Sequence, residues 1–305
     1  MSAGRGRILV IRGGAIGDFI LTLPAIAALR AQFPDAHLEV LGYPHIAQLA
    51  LAGGLVDAVR PIEARELAGF FARNGALAAH LQAYFGSFNI IISYLYDPDD
   101  IFRTNVARCT KAQFIIGPHR PVEDEAVHAT DVFLRPLERL AIFGAATQPR
   151  LVLKSRVTDG NCVALHPGSG SEHKNWPETN WAQLLDALVS ETDFNLLLVG
   201  GEAEGDRLER LSAKLPVRRC EILRSLPLAE LAVRLNGSAA FIGHDSGITH
   251  LAAALGVPCV ALWAGTPEQV WRPQGDRVIL LKESSGIENL EARCVMSELM
   301  RVMSC

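Results

Sequence analysis

A glycine-rich turn directly follows the first apolar run of the chain. Residues 11–18 read Ile-Arg-Gly-Gly-Ala-Ile-Gly-Asp. Glycines let backbone amides approach a ligand closely, and the start of the following helix favours negative charge. The spacing of the glycines does not match the dinucleotide fingerprint Gly-x-Gly-x-x-Gly. Asp18 has two interpretations that the spacing leaves open: a first-turn acid stabilised by the helix dipole, or a general base.

A second polar loop follows the first strand candidate of the second half. Residues 166–178 read His-Pro-Gly-Ser-Gly-Ser-Glu-His-Lys-Asn-Trp-Pro-Glu. The segment 168–171 supplies amides and hydroxyls that can bind phosphate oxygens, and Lys174 adds a positive charge. The order of a P-loop, Gly-x-x-x-x-Gly-Lys-Ser/Thr, is absent. Taken alone, the segment is compatible with an anion site or with an ordinary polar loop.

A third motif, residues 243–250, reads Gly-His-Asp-Ser-Gly-Ile-Thr-His and precedes an alanine-rich run. Free amides at the start of such a helix would bind a diphosphate. Asp245 is either an N-cap or a ligand for a cationic or hydroxyl group, and the local pattern favours the cap. The histidines of this motif and of the second loop lack compact metal-ligand spacing, so no metal site is expected. Segments 200–202 and 265–267 also follow strand candidates and would line the same cleft.

The elements that must position these loops follow a regular pattern. Short β-branched runs alternate with longer amphipathic stretches, which is typical of βαβ units and parallel sheets. The predicted strands are 8–12, 37–42, 58–62, 89–94 and 113–116, then 162–166, 194–199, 219–223, 239–243, 259–263 and 277–281. The predicted helices are 18–32, 65–84, 131–143, 181–190, 204–215, 228–235 and 248–255.

Two series of strands predict an α/β protein with two Rossmann-like parallel-sheet domains facing a central cleft, where ligands bind at the carboxyl ends of strands. The expected N-terminal domain covers 1–153 and the expected C-terminal domain covers 161–286, with linker composition over 144–160. The segment 287–305 has helical spacing, and we expect it to pack back on the N-terminal domain.

Composition excludes several classes of protein. The 305 residues are 49% hydrophobic and 7% aromatic, with a net charge of −4, which argues against a disordered chain and against a nucleic-acid platform. The 6 cysteines form no Cys-x-x-Cys pair, and no Gly-x-Ser-x-Gly nucleophile elbow is present. No secretory signal or membrane-spanning stretch stands out. We therefore expect a cytoplasmic protein with at most peripheral contact with a membrane.

Together the three motifs resemble glycosyltransferase family 9, the heptosyltransferase family that builds the lipopolysaccharide inner core. The likeness is carried by Ile-Leu-Val-Ile-Arg, Ile-Gly-Asp-Phe and Leu-Pro-Ala-Ile near the start, then by His-Pro-Gly-Ser-Gly with Lys-Asn-Trp-Pro-Glu, and by Asp-Ser-Gly-Ile-Thr-His-Leu-Ala-Ala-Ala-Leu. The chain departs from the family where Ser169-Gly170 replaces paired threonines. It departs again where Ala-Gly-Thr-Pro follows Trp263 in place of Gly-Pro-Thr-Asp-Pro.

The resemblance implies a GT-B architecture and an inverting transfer that needs neither metal nor cofactor. The implied donor is a nucleoside-diphosphate sugar, most often ADP-heptose, and the acceptor is the lipopolysaccharide core or a related glycan. The implied catalytic residues are Asp18, as general base, and Lys174, at the phosphate. The implied donor-binding residues are Gly17, Ser169, Gly170, Glu202, Asp245, Ser246, Gly247 and His250. No acceptor residues are implied, although Arg60, Arg65, Arg103 and Arg120 are available.

Three alternatives remain beside this interpretation. A nucleotide-sugar epimerase could use the same two-domain scaffold, and a non-catalytic module could bind nucleotide sugars or glycans. An NAD(P)-dependent oxidoreductase is disfavoured by the imperfect glycine spacing. The expected partners are a nucleotide sugar and a glycan acceptor, and no nucleic acid.

Overall fold

The computed structural model of the chain describes residues 5–154 and 160–304. The chain divides into two compact units, Met1–Thr147 and Gln148–Cys305. The second unit thus begins before the predicted residue 161. The reason is that Leu151 is buried and its amide donates to the carbonyl of Ala254 at 2.8 Å. Part of the predicted linker, 155–159, lies outside the described residues.

The first unit contains one parallel sheet in the strand order β3-β2-β1-β4-β5. Its strands are β1 (Arg7–Arg12), β2 (His37–Gly42), β3 (Ala58–Pro61), β4 (Ile90–Ser93) and β5 (Gln113–Ile116). Its helices are α1 (Ile16–Gln32), α2 (Pro44–Ala52), α3 (Ala79–Gly86), α4 (Ile101–Ala107) and α5 (Ala129–Leu134). Leu9, Val10 and Ile11 of the central strand are fully buried, as expected for a strand covered on both faces.

The second unit contains a six-stranded parallel sheet in the order β11-β10-β9-β6-β7-β8. Its strands are β6 (Cys162–His166), β7 (Asn195–Gly200), β8 (Cys220–Arg224), β9 (Ala240–His244), β10 (Cys259–Leu262) and β11 (Val278–Leu281). Its helices are α6 (Glu178–Glu191), α7 (Arg207–Ser212), α8 (Leu228–Asn236), α9 (Gly247–Ala254), α10 (Glu268–Trp271) and α11 (Ala292–Ser304).

All eleven predicted strands are present within one or two residues, but three predicted helices are broken. The expected helix over 65–84 consists of a 3₁₀ turn, Arg65–Phe71, and the later α3. Asn74 takes a φ of 53°, and a Cβ on Gly75 would lie 1.9 Å from the carbonyl oxygen of Gly69. The chain therefore doubles back where the apolar spacing predicts a continuous helix.

The other two broken helices have similar causes. The helix predicted over 131–143 is α5 followed by a 3₁₀ turn that stops at Ala141, whose φ is 56°. The helix predicted over 204–215 shortens to α7, because Gly205 has a φ of 50° just before it. Helices α2, α4 and α10 were not predicted, because each is too short for the spacing of its apolar residues to distinguish a helix from a loop.

Helix α11 belongs to the second unit and packs on α6 and β10. Val295, Leu299 and Val302 form its buried face within the core of the second sheet. That 287–305 also packs back on the N-terminal domain stays a prediction. The apolar stripe of the helix is already used by its own unit.

Each sheet reverses its strand order once, between β1 and β4 in the first unit and between β6 and β9 in the second. In open α/β sheets such switch points are where ligands bind, outside the carboxyl ends of the strands. We call the loops after β1, β4 and β5 the first edge, and the loops after β6, β7, β9 and β10 the second edge. The three sequence motifs all lie on these two edges. None of the helices in the described part of the chain is long and apolar enough to cross a membrane.

Candidate functional site

At the first edge, Asp18 lies in the first turn of α1, just after β1. Its Oδ2 accepts a hydrogen bond from the amide of Ala15 at 3.1 Å, and its side chain is 27% exposed. Gly14 has a φ of 100°, and a Cβ there would lie 3.0 Å from the same oxygen. The glycine therefore forms the turn and leaves room beside the carboxylate.

Arg12 supports this carboxylate from within the unit. The Arg12 side chain is 2% exposed, and its Nη2 lies 3.6 Å from Asp18 Oδ1 and donates to the Asp18 carbonyl at 3.2 Å. Its Nη1 donates to the carbonyl of His119 at 2.8 Å, and its guanidinium lies 4.5 Å from the centre of the Phe133 ring. Burial lowers the pKa of Arg12, and the nearby Asp18 charge opposes that shift. A buried cation beside a partly exposed carboxylate fixes the orientation of that carboxylate, and the role of Asp18 as general base stays a prediction.

At the second edge, Asp245 accepts two hydrogen bonds on one oxygen. Lys174 Nζ donates to Asp245 Oδ2 at 2.7 Å, and Thr266 Oγ1 donates to the same atom. The Lys174 side chain is 32% exposed and that of Asp245 is 9% exposed. The cation therefore faces solvent while the carboxylate lies beneath it.

The cap of α9 is Ser246, whose Oγ accepts a hydrogen bond from the amide of Thr249 at 3.4 Å. The preference for Asp245 as N-cap, made on local grounds, is therefore wrong by one residue. Gly247 begins the helix, and its first amides have no acceptor within the helix. His250 is buried one turn further along. This leaves the helix start available to an anion.

His244 joins the loop after β6 to the end of β9. Its Nε2 accepts from the amide of Trp176 at 2.8 Å, so its proton is on Nδ1, which donates to the carbonyl of Gly168 at 3.2 Å. Burial lowers the pKa of His244 to about 3, so the ring is neutral. Sequence analysis assigned no role to His244, whereas in the structure its ring ties the loop after β6 to the end of β9.

A second buried histidine lies beside the cap. His166 Nδ1 is 3.3 Å from Ser246 Oγ, and its Nε2 is 3.6 Å from Glu204 Oε1. Burial lowers the pKa of His166 to about 4. Glu204 also accepts from the amide of Gly201 at 2.5 Å, and a Cβ on Gly168 would overlap this carboxylate. Sequence reasoning missed Glu204, because only its burial distinguishes it from neighbouring acids.

The loop after β6 is held by its own hydroxyls and by α7. Ser169 Oγ donates to the carbonyl of Ser171 at 2.8 Å and accepts from its amide at 3.2 Å. Arg207 Nη1 donates to the carbonyl of Pro167 at 3.1 Å. Gly170 is exposed, with open space where a Cβ would stand. The loop therefore has a defined shape with one open backbone position.

The predicted residues fall unequally on the two edges. Gly17 and Asp18 lie on the first edge, in the first turn of α1. The other predicted site residues lie on the second edge, with Lys174, Asp245, Ser246 and Gly247 clustered at the switch point. Glu202 is exposed in a 3₁₀ turn after β7, and its role as a donor ligand stays a prediction. Thr266 was not assigned a role from sequence, although its turn was noted.

The side chains of the two edges also show whether a metal site could form. Among residues 5–154 and 160–304, no group of three His, Cys, Asp or Glu side chains could hold a metal ion. Both ring nitrogens of His244 are already bonded to backbone groups. The prediction that the reaction needs no metal stays a prediction.

Comparison with known proteins gives the family and the fold. Residues 140–299 match the family described as Glycosyltransferase family 9 (heptosyltransferase). Lipopolysaccharide heptosyltransferase 1 of Salmonella typhimurium is 23% identical over 324 aligned residues, covering 96% of this chain and 99% of that protein.

Two solved structures are similar over almost their whole length. The glycosyl transferase family 9 protein from Veillonella parvula has a TM-score of 0.79 at 19% identity, covering 100% of this chain and 99% of that one. E. coli heptosyltransferase WaaC with ADP has a TM-score of 0.75 at 18% identity, covering 97% and 99%. These similarities confirm the predicted GT-B fold class with two Rossmann-like parallel-sheet domains. Since the family model spans more than half of the sequence, the chain belongs to glycosyltransferase family 9, the heptosyltransferase family, and is a glycosyltransferase.

Proposed function

We propose that this protein is an inverting heptosyltransferase that transfers a heptose from ADP-heptose to the lipopolysaccharide core or a related glycan. One observation supports this most: Lys174, Asp245 and the start of α9 meet at the switch point of the second sheet. A cation, a hydrogen-bond acceptor and free amides at one point suit a sugar diphosphate. The relatives are named as lipopolysaccharide heptosyltransferases and one neighbour was solved with ADP, so we propose ADP-heptose as this sugar diphosphate.

The second edge binds the donor in this proposal. Lys174 and the first amides of α9 contact the diphosphate, and Asp245 accepts hydrogen bonds from the sugar hydroxyls. These groups are already oriented by Thr266, His244 and the protein backbone, so little reorganisation accompanies the reaction. Fixed donors of this kind stabilise the charge that develops on the leaving diphosphate. They take the role that a divalent cation has in other transferases, so we propose a metal-independent reaction.

The chemical step is a single displacement. The acceptor oxygen forms a bond to the anomeric carbon, the bond from that carbon to the diphosphate oxygen breaks, and ADP leaves with the electron pair. Asp18 takes the proton of the acceptor hydroxyl as the new bond forms. Attack from the face opposite the diphosphate inverts the anomeric configuration. Because the core glycan is lipid-linked, we propose that the enzyme acts at the cytoplasmic face of the inner membrane.

A nucleotide panel followed by product analysis tests this function. Thermal unfolding is measured with ADP-, UDP- and GDP-sugars, and ADP-heptose is expected to give the largest shift. A ligand at 100 times its Kd stabilises the native state by about 2.7 kcal/mol. Transfer to a deacylated core oligosaccharide is then followed by mass spectrometry, with chelator and with added iron or magnesium. No shift with any ADP compound would refute the proposed donor.

The same assay separates the alternatives. Incubation of the donor without acceptor yields an epimer only if the protein is an epimerase. Donor binding without consumption in the presence of acceptors indicates a binding module. Activity that is lost with chelator and restored by a metal refutes metal independence while leaving the transfer reaction intact.

A further inference from the structure

Two aromatic rings stand exposed together on the first edge. Tyr96, in the loop after β4, and His119, in the loop after β5, have ring centroids 4.7 Å apart at an interplanar angle of 58°. Tyr96 is 71% exposed, and His119 is also exposed. Large aromatic side chains usually bury most of their surface in folded proteins. A pair left open at a sheet switch point indicates a surface built to contact a ligand.

The pair is held in place by the core beneath it. Tyr94 is buried, and its hydroxyl donates to the carbonyl of Phe133 at 2.7 Å. Gly117 passes directly over this ring, since a Cβ on it would lie 2.6 Å from Tyr94 ring atoms. The amide of Gly117 donates to the carbonyl of Ser93 at 2.8 Å. The loops that carry the two exposed rings are therefore fixed against each other.

One guanidinium links this pair to the proposed general base. Arg12 donates through Nη1 to the carbonyl of His119 and through Nη2 to the carbonyl of Asp18. The Arg12 side chain is almost fully buried, so these bonds define a rigid connection. A ligand lying on the rings is thereby placed on the same edge as the Asp18 carboxylate.

The charge around the rings disfavours an anionic ligand. The loop 94–100 contains three aspartates and no lysine or arginine, and the segment 117–125 contains three acids and a single arginine. Four of these six acids form ion pairs with arginines at 3.2–3.9 Å: Asp99 with Arg73, Asp100 with Arg103, Glu123 with Arg120 and Glu125 with Arg135. The six acids still outnumber the four arginines, so the surface carries a small net negative charge, which disfavours carboxylates and phosphates.

We propose that Tyr96 and His119 form a platform for the terminal acceptor sugar, and that this sugar is a neutral pyranose. The C–H face of such a ring packs on the aromatic surface, while its hydroxyls stay available to Asp18 and solvent. This inference rests on the proposed function and specifies its acceptor. It excludes an acidic sugar as the residue bound at this platform.

Binding of simple glycosides tests the platform without any catalysis. Methyl α-D-mannopyranoside serves as the neutral probe, and the methyl glycoside of N-acetylneuraminic acid serves as the acidic one. Titration by ring-proton NMR is expected to show the neutral probe binding at least fivefold more tightly, with shifts at Tyr96. Tighter binding of the acidic probe, or no shift of Tyr96 signals, would overturn the proposal.

Substitutions sharpen this test. Tyr96→Ala is expected to raise the Kd of the mannoside at least fivefold, while Tyr96→Phe stays within twofold because it keeps the ring. Phe143→Ala is the matched control, since Phe143 is exposed to the same 71% but lies outside both loops. Unchanged binding in Tyr96→Ala, or an equal loss in Phe143→Ala, would refute the platform. If the mannoside binds as expected but no heptose is transferred, the proposed function fails and the platform stands.

Discussion

The two sheets share one topology, yet their switch points present opposite chemistry. The first edge exposes the carboxylate of Asp18 among acidic loops, with a buried arginine beneath it. The second edge exposes Lys174 and the amides of α9, with a buried aspartate beneath them. The order of strands therefore determines where a ligand binds. The loop residues determine the charge that the ligand meets, which is why we propose an alcohol at the first edge and a diphosphate at the second.

The buried groups differ in the same way. Arg12 keeps its charge because Asp18 and two aromatic rings surround the guanidinium. His166 and His244 are neutral, because burial lowers the pKa of each ring to about 4 and about 3, and at His244 this outweighs the opposing effect of the Asp245 charge. A neutral imidazole can hold backbone groups without adding a fixed charge next to the proposed diphosphate site. Burial therefore surrounds a charged side chain at the first edge and keeps two side chains uncharged at the second.

Replacing the carboxylate of the first edge has the largest expected effect. Asp18→Asn removes the proton acceptor and is expected to lower turnover by about 10²–10⁴-fold. ADP affinity, measured by calorimetry, is expected to stay within twofold, since the proposed donor-binding groups lie on the second edge. Asp35→Asn, at an exposed position beyond α1, is the matched control. A similar loss of ADP affinity in Asp18→Asn would contradict the proposal that the two edges bind different substrates.

Acid is expected to destabilise the second edge. Below pH 6.5 the unfolded histidines bind protons, whereas folded His166 and His244, with pKa values of about 4 and 3, do not. The free energy of unfolding therefore falls as pH drops from 6.5 towards 4, by roughly 2 kcal/mol per histidine near pH 4.5. Urea denaturation between pH 7 and 4.5 measures this loss. His166→Gln is expected to show a shallower decline, and an identical decline would contradict the buried neutral ring.

Removing the cation of the second edge has the next largest effect. A hydrogen bond to a charged group contributes about 1.5–3 kcal/mol, so Lys174→Ala is expected to weaken ADP binding by roughly 10–100-fold. Lys214→Ala, at an exposed lysine just after α7, is the control and is expected to bind ADP normally. If calorimetry gives equal ADP affinities for both variants, Lys174 does not contact the diphosphate.

The smallest expected effect concerns the orientation of Asp245. Thr266→Val removes one of the two donors to Asp245 Oδ2 and leaves the bond from Lys174. A hydrogen bond to a charged group contributes about 1.5–3 kcal/mol. Because this bond orients Asp245 and does not contact the donor itself, only part of it is lost on binding, and donor-sugar affinity is expected to fall roughly two- to tenfold. ADP itself, which lacks the sugar, is expected to bind with little change. Thr179→Val, at an exposed threonine of α6, is the control. A loss equal for ADP and ADP-heptose would argue against contact between Asp245 and the sugar.

The sequence predicted the strands more accurately than the helices. A continuous apolar run such as 195–199 has few alternatives to a strand covered on both faces. Helix ends depend on single residues in left-handed conformations, such as Asn74 and Ala141, which apolar spacing does not reveal. The same limit explains the error at the α9 cap. Asp245 and Ser246 are both good caps, and the choice between them follows from Lys174, a residue 71 positions away.

Sequence alone determined the alternation of strands and helices, the positions of the three loops and the motifs of the family. These properties are local, because each depends on residue types within one short segment. Only the tertiary structure decided that Lys174 pairs with Asp245, that Glu204 and Thr266 belong to the second edge, and that His119 connects through Arg12 to Asp18. Those contacts depend on which strands become neighbours in a sheet and on how deeply a side chain is buried. Both are set by packing across the whole unit.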